Sequence, residues 1–189
     1  DDGTFDEIKG NHSALYYTVR HELAHVLGFN SVLLNASIIP DAPVVTYTED
    51  SVNKYYYTGT HGLEAYKNAI SDESVRNNIV GIPLEDDYGE NSAGGHFEEG
   101  DESDAPRFIN GFYHPPLNTE TMTPIDDEGD QLSSITLGVF KDKGYVVDTS
   151  KAEPFTIDIN SHRLSGGLSQ LSKVVYNDAV VDVISVDIS

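Results

Sequence analysis

The chain contains no cysteine in its 189 residues. No disulfide therefore braces it, and zinc or redox chemistry built on thiolates is excluded. Cations are scarce as well: 11 Lys and Arg stand against 32 Asp and Glu, a formal net charge of −21. Binding to phosphate backbones needs clustered cations, so nucleic acid is excluded as a partner and an anionic membrane surface is disfavoured. No apolar run approaches the roughly 20 residues that cross a bilayer, so no transmembrane segment is expected. Methionine is almost missing, with Met122 the single example. The lack of cysteine fits a secreted microbial protein, and the expected location is extracellular or at the cell surface. The chain opens Asp1-Asp2 without a signal peptide and reads as a mature form or a fragment. Asn11-His12-Ser13 and Asn35-Ala36-Ser37 match the glycosylation sequon, a pattern common by chance.

What remains is an acidic chain with 38% hydrophobic residues, enough for one core and an appendage. The acidity has a general reading, a solvated face in a salty or extracellular setting. It also has a sharper one, calcium sites built from carboxylates. Glu85-Asp86-Asp87 and the segments 98–104 and 126–130 each gather several acids, although the EF-hand spacing is absent. Ca2+ is thus a second candidate ion.

Residues 13–27 read as a helix. Leu15, Val19, Leu23, Val26 and Leu27 recur at spacings of three and four, which marks the expected core stripe. Asn11 or Ser13 can cap the start and Gly28 the end. Val44 to Thr48 and Lys54 to Tyr57 read as strands, and 61–70 as a short helix. Residues 81–131 are loop-like, with Gly, Pro, Asn and acids crowded together. Residues 132–143 read as a helix, with Leu132, Ile135, Val139 and Phe140 on one face, a Ser133 or Ser134 cap and Gly144 at its end. Beyond 148 the text alternates with strand period, as in Phe155 to Ile159 and in much of 174–188. The expected organisation is a domain over 1–148 and a β-rich extension over 149–189.

The stretch His21-Glu22-Leu23-Ala24-His25-Val26-Leu27-Gly28-Phe29 carries the chemistry. Two histidines four apart on a helix present their rings to one metal ion. Glu22 between them reaches a water whose pKa the ion lowers, and takes its proton as the water attacks a carbonyl. Gly28 lets the chain turn sharply out of the helix. A third histidine three residues after that glycine would complete the short form of the motif, but position 31 is Ser. His12 and His162 are poorly placed for the role, which leaves His61, His96 and His114. His96 follows Gly94-Gly95, a flexible entry, and precedes Phe97-Glu98-Glu99. His114 is followed by the stiff Pro115-Pro116, and His61 has no supporting context. Met122 lies after His96 and before the second helix, where a methionine turn would sit beneath the ligands.

In that order, HELAHVLGF, GGHFEE, ETMTP and LSSITLGVFKDKGYVVD resemble the leishmanolysin-like group of metzincin zinc peptidases over roughly residues 13–148. The resemblance implies that an insertion delivers the third ligand; the interval from His25 to His96 suits this. It implies zinc held by His21, His25 and His96, Glu22 as general base, and Met122 beneath the site. The implied fold is α+β, a metzincin-like catalytic domain with a β-rich C-terminal appendage. Astacin-type relatives place a Tyr ligand two residues after the Met; Pro124 stands there. Leishmanolysins proper are rich in disulfides, which makes this chain a distant relative. The resemblance also implies a sheet upstream of the active-site helix, whose edge strand takes the substrate as an added strand. Only about a dozen residues precede the helix, so a partner chain or a cleaved N-terminal portion is expected to complete the domain.

The expected function is therefore a zinc endopeptidase acting on protein or peptide substrates. Tyr113 and His114 are candidates to assist the oxyanion. The acidic surface favours basic substrates. Two alternatives remain open. One is a peptidase-derived structural or surface-assembly module that binds zinc with little activity. The other takes its third ligand from Glu64 and ranks below the His96 reading, because it leaves Gly28 and Met122 without a role.

Overall fold

A computed structural model describes residues 14–30, 44–49, 52–86, 92–100, 107–125, 129–157, 159, 175–176 and 179–180. The candidate caps Asn11 and Ser13, both sequons, Ser31, Asp87 and segments 101–106 and 126–128 lie outside the described residues, as does most of 160–189. The architecture is α+β, with separate helices and small antiparallel sheets. Among the described residues, no helix is long and apolar enough to cross a membrane.

Helix α1 spans Ala14–Val26. It ends in a Schellman motif: Phe29 N–H donates to the Ala24 carbonyl and Gly28 N–H to that of His25, both at 2.9 Å. Gly28 holds a φ of 99°, which a side chain would strain. Strands β1 (Val44–Glu49), β2 (Val52–Tyr57) and β3 (Ile82–Leu84) form an antiparallel sheet in that order. Its register pairs Val44 with Tyr57 and Tyr57 with Ile82. Helix α2 (Thr60–Ala69) and the short α3 (Glu73–Arg76) connect β2 to β3. The loop-like reading of 81–131 holds only in part, because it also contains β3 and a small hairpin, β4 (Phe108–Ile109) with β5 (Phe112–Tyr113).

Helix α4 (Ser134–Asp142) packs on α2. A Cβ on Gly138 would stand 2.7 Å from the His61 carbonyl oxygen, so glycine is what lets the two helices meet this closely. Asp142 then caps α2, accepting from the main-chain N–H of His61 (2.8 Å) and of Gly62 (2.9 Å) and from the Tyr57 hydroxyl (3.1 Å). Tyr57, Tyr66, Ile70, Ile82, Leu84, Ile135 and Val139 fill the core between the helices and the sheet. Burial and the adjacent Asp142 raise the Tyr57 phenol well above its usual range. From the 149–189 extension, Ile157 joins this core and its N–H donates to the Ala69 carbonyl at 2.8 Å. Val175–Tyr176 and Ala179–Val180 pair as the antiparallel strands β6 and β7.

One expectation is reversed. The Leu/Val stripe of α1 is not a core stripe: Val19, Leu23, Val26 and Leu27 are exposed, Val26 to 80%, while His21 and Ala24 are buried. The histidine face of the helix turns inward because main-chain acceptors and aromatic contacts await it there. The apolar face instead lines an open groove of about 400 Å³ with Phe140, Tyr145 and Val147.

Candidate metal centre

Two stretches far apart in sequence meet at the inner face of α1. The first is the run 96–98, which lies antiparallel beside β3: Leu84 bridges Phe97, Glu85 N–H donates to the His96 carbonyl, and Glu98 N–H donates to that of Pro83, each at 3.1 Å. The edge of β3 thus extends the sheet by a stub of strand that carries His96. The second is the turn around Met122. Phe97 N–H donates to the Met122 carbonyl at 2.8 Å, so the two stretches are joined directly. Met122 is fully buried.

The result is a triangle of imidazole nitrogens. Nε2 of His25 stands 2.9 Å from Nε2 of His21 and 3.0 Å from that of His96, and His96 and His21 are 3.2 Å apart. Each opposite ring nitrogen faces an oxygen acceptor. Nδ1 of His21 donates to the Thr121 carbonyl (2.7 Å) and Nδ1 of His25 to the Phe29 carbonyl (2.5 Å). Nδ1 of His96 lies against the carbonyl (3.2 Å) and hydroxyl (3.1 Å) of Ser92. A carbonyl only accepts, so it fixes the proton on Nδ1 and leaves Nε2 as a bare lone pair. Three lone pairs converging at about 3 Å repel one another unless a cation lies between them. Burial pushes the His96 imidazole down to about 4, opposed by the Ser92 carbonyl and reinforced by His25 and His21. These three residues form a group that can hold a metal ion, and among the described residues no fourth His, Cys, Asp or Glu joins it.

The Schellman turn explains part of this order. By reversing at Gly28 the chain returns the Phe29 carbonyl to His25, and it drops the Phe29 ring into the core at 4.9 Å from Phe97, edge to face. Such a pair is worth about 0.5–1.5 kcal/mol beyond its area. It links the residue after the helix to the residue after the third histidine. Tyr145 adds a further tie, its hydroxyl donating to the Leu27 carbonyl at 3.0 Å.

The other expected residues are distributed as follows. Glu22 is exposed on α1 between the two helical histidines. Glu64 is exposed on α2 and is outside the metal-capable group. His114 is fully buried with both ring nitrogens engaged: Nδ1 donates to the Phe112 carbonyl (2.8 Å) and Nε2 accepts from Val80 N–H (3.1 Å). That bonding corrects the oxyanion role considered for His114, since neither nitrogen remains to serve a substrate. Its neighbour Tyr113 packs against the core from β5, at 5.9 Å from the Phe108 ring.

A second group, Glu85, Asp86 and Glu98, also brings its oxygens within 4.8 Å of one another. Here a cation is already present in the chain. Arg107 donates to Asp86 through Nη1 (2.6 Å) and Nη2 and to Glu98 through Nη2 (2.6 Å), with Lys54 Nζ 3.9 Å from Asp86. Burial pushes the Glu98 carboxyl up to about 9; the Arg107 guanidinium opposes that shift, and Glu85 and Asp86 add to it. Among these three acids, Asp86 and Glu98 thus already pair with the Arg107 guanidinium.

Sequence reasoning had no sign of the oxygens that hold the rings, since Thr121, Ser92 and Phe29 contribute carbonyls that any residue carries. Arg107 was also missed; its type in an acidic stretch was the available signal. Comparison with protein-family models, with curated proteins and with solved structures found no match to this chain.

Proposed function

We propose that this chain is a zinc-dependent endopeptidase of metzincin type, with His21, His25 and His96 as the ligands and Glu22 as the general base. The observation that carries the reading is the triangle of converging Nε2 atoms. Three nitrogens bound at about 2.0–2.1 Å to a tetrahedral ion stand about 3.3 Å apart. The separations of 2.9, 3.0 and 3.2 Å lie just inside that value. Neutral imidazoles suit zinc, and a ligand set of three leaves one coordination position for a reactant, as catalytic sites do and closed structural sites do not. The buried Met122 and Gly28 at the helix end both have roles in this reading and none in the Glu64 alternative.

A bound zinc ion supplies Lewis acidity and a water of lowered pKa. The chain's own residues do the rest. His21, His25 and His96 are held in one tautomer by the Thr121, Phe29 and Ser92 oxygens, which limits the reorganisation that binding requires. Glu22, exposed beside His21, accepts a proton as water adds to the scissile carbonyl and returns it to the departing amine. The substrates are proteins or peptides met outside the cell, and the acidic surface favours basic ones.

The test is zinc content together with cleavage of casein, with Glu22→Ala as control. The expected result is one zinc per chain in both proteins and cleavage only in the wild type. Zinc binding by the wild type with no cleavage would favour the second reading, a peptidase-derived assembly module. The exposed apolar face of α1 is the observation favouring that reading, since a contiguous apolar groove is a docking surface.

A further inference from the structure

Glu120 is fully buried, yet no cation pairs with it among the described residues. Four donors converge on its carboxylate. Oε2 accepts from Met122 N–H (2.7 Å), and Oε1 accepts from Ser133 N–H (3.2 Å), Ser133 Oγ (2.7 Å) and Thr136 Oγ1 (2.7 Å). Two are donors by necessity, being main-chain N–H groups, and Ser133 Oγ also accepts from Ile135 N–H at the start of α4. The carboxylate therefore fastens the Met122 turn to the first turn of α4.

That turn touches one candidate ligand and the neighbour of a second. Its Thr121 carbonyl accepts from His21 Nδ1, and its Met122 carbonyl accepts from Phe97 N–H, one residue from His96. We infer that Glu120 is a positioning residue of the metal centre, whose buried carboxylate sets the turn that orients His21 and anchors the His96 strand. The inference rests on the proposed zinc site. Residues that orient a ligand histidine typically govern about 10- to 100-fold in metal affinity, and Glu120 acts on one such histidine and on the neighbour of a second through one loop.

Asp142 provides the contrast. It also accepts three hydrogen bonds, but from the start of α2 and from Tyr57, and not from the Met122 turn. Glu120→Gln keeps the shape and sets an amide N–H₂ against donors on one side or the other. Asp142→Asn does the same at the helix cap.

The experiment measures zinc affinity by chelator competition on proteins shown to be folded by circular dichroism, together with the Co2+ absorption spectrum and the melting temperature of the metal-free chains. The expected result is zinc binding weakened about 10- to 100-fold, with an altered Co2+ spectrum, in Glu120→Gln, and unchanged affinity in Asp142→Asn even where its melting temperature drops. If Glu120→Gln does not fold, Thr136→Val removes one donor and leaves the carboxylate; a severalfold weakening is then expected, and unchanged affinity overturns the inference. Zinc bound by Glu120→Gln as tightly as by the wild type overturns it while the zinc site stands, as does equal weakening in Asp142→Asn. A wild-type chain that binds no zinc overturns both.

Discussion

Two clusters among the described residues bring potential ligand atoms within reach of a single ion, and they differ in what already stands between those atoms. His21, His25 and His96 turn three Nε2 atoms toward one point, each ring held from behind by an oxygen. Glu85, Asp86 and Glu98 turn oxygens toward one another, but the Arg107 guanidinium lies on Asp86 and Glu98. Proximity alone does not distinguish them. Among the described residues, Arg107 supplies a cation to the second cluster, and the first is built of imidazoles alone. A triad of ligand atoms is a metal site only when the chain leaves its charge or lone pairs uncompensated.

The largest expected effect is at the first cluster. His96→Ala removes one of three ligands, and zinc binding should fall by at least about a thousandfold, to an undetectable content after dialysis. Asp86→Asn and Glu64→Ala should leave zinc content unchanged. Zinc retained in His96→Ala and lost in Glu64→Ala would reverse the ligand assignment.

Next is Arg107. Replacing it by Met leaves two buried or half-buried carboxylates, Asp86 and Glu98, without their main cation, a loss of about 3–5 kcal/mol read from urea unfolding. The same variant should become sensitive to Ca2+, which would take the vacated place and raise its melting temperature, whereas the wild type should not respond. Ca2+ stabilising both proteins equally would show that the arginine does not stand in for an ion.

His114 is the internal control for the imidazoles, because both its nitrogens have protein partners. Burial lowers its pKa to about 4, with the Phe112 carbonyl opposing and Lys67 adding to the shift. In the unfolded chain a histidine titrates near 6.5, so between about 6.5 and about 4 the unfolded state binds more protons than the folded one. Stability from this group is therefore complete above about pH 6.5 and is lost as pH falls toward about 4, by about 3 kcal/mol in all. His114→Gln should flatten that part of the pH profile of metal-free protein. An unchanged slope would assign the acid sensitivity to other groups.

The smallest effect expected is that of Gly28→Ala. At a φ of 99° a Cβ costs about 1–2 kcal/mol, seen as a modest fall in melting temperature. Because the Phe29 carbonyl moves with the turn, zinc affinity should weaken as well, though less than in any ligand substitution.

Much of the local structure was legible in the sequence. The periodicity of 13–27 and 132–143 foretold α1 and α4, and Ser133 does cap α4, its hydroxyl accepting from Ile135 N–H. The strands around 44–48 and 54–57 were expected from β-branched and aromatic residues, and they form β1 and β2. His21 and His25 were legible from their spacing, whereas His96 was expected through the family resemblance, and the three rings meet. The facing of α1 was misread, because an apolar stripe specifies a helix face to be covered without saying what covers it.

By itself, the sequence determined which residue types lie four apart on a helix, where glycine permits a reversal, and that no thiolate can bind metal. Those are local matters, set by backbone sterics and side-chain chemistry within a few residues. Only the tertiary structure decided which histidine closes the triangle, which oxygens fix its tautomers and which acidic cluster already holds a cation. Each of these depends on atoms as many as 100 residues apart in the chain, as with His21 and Thr121, brought within hydrogen-bond distance by the packing of the strand stub, the Met122 turn and α4.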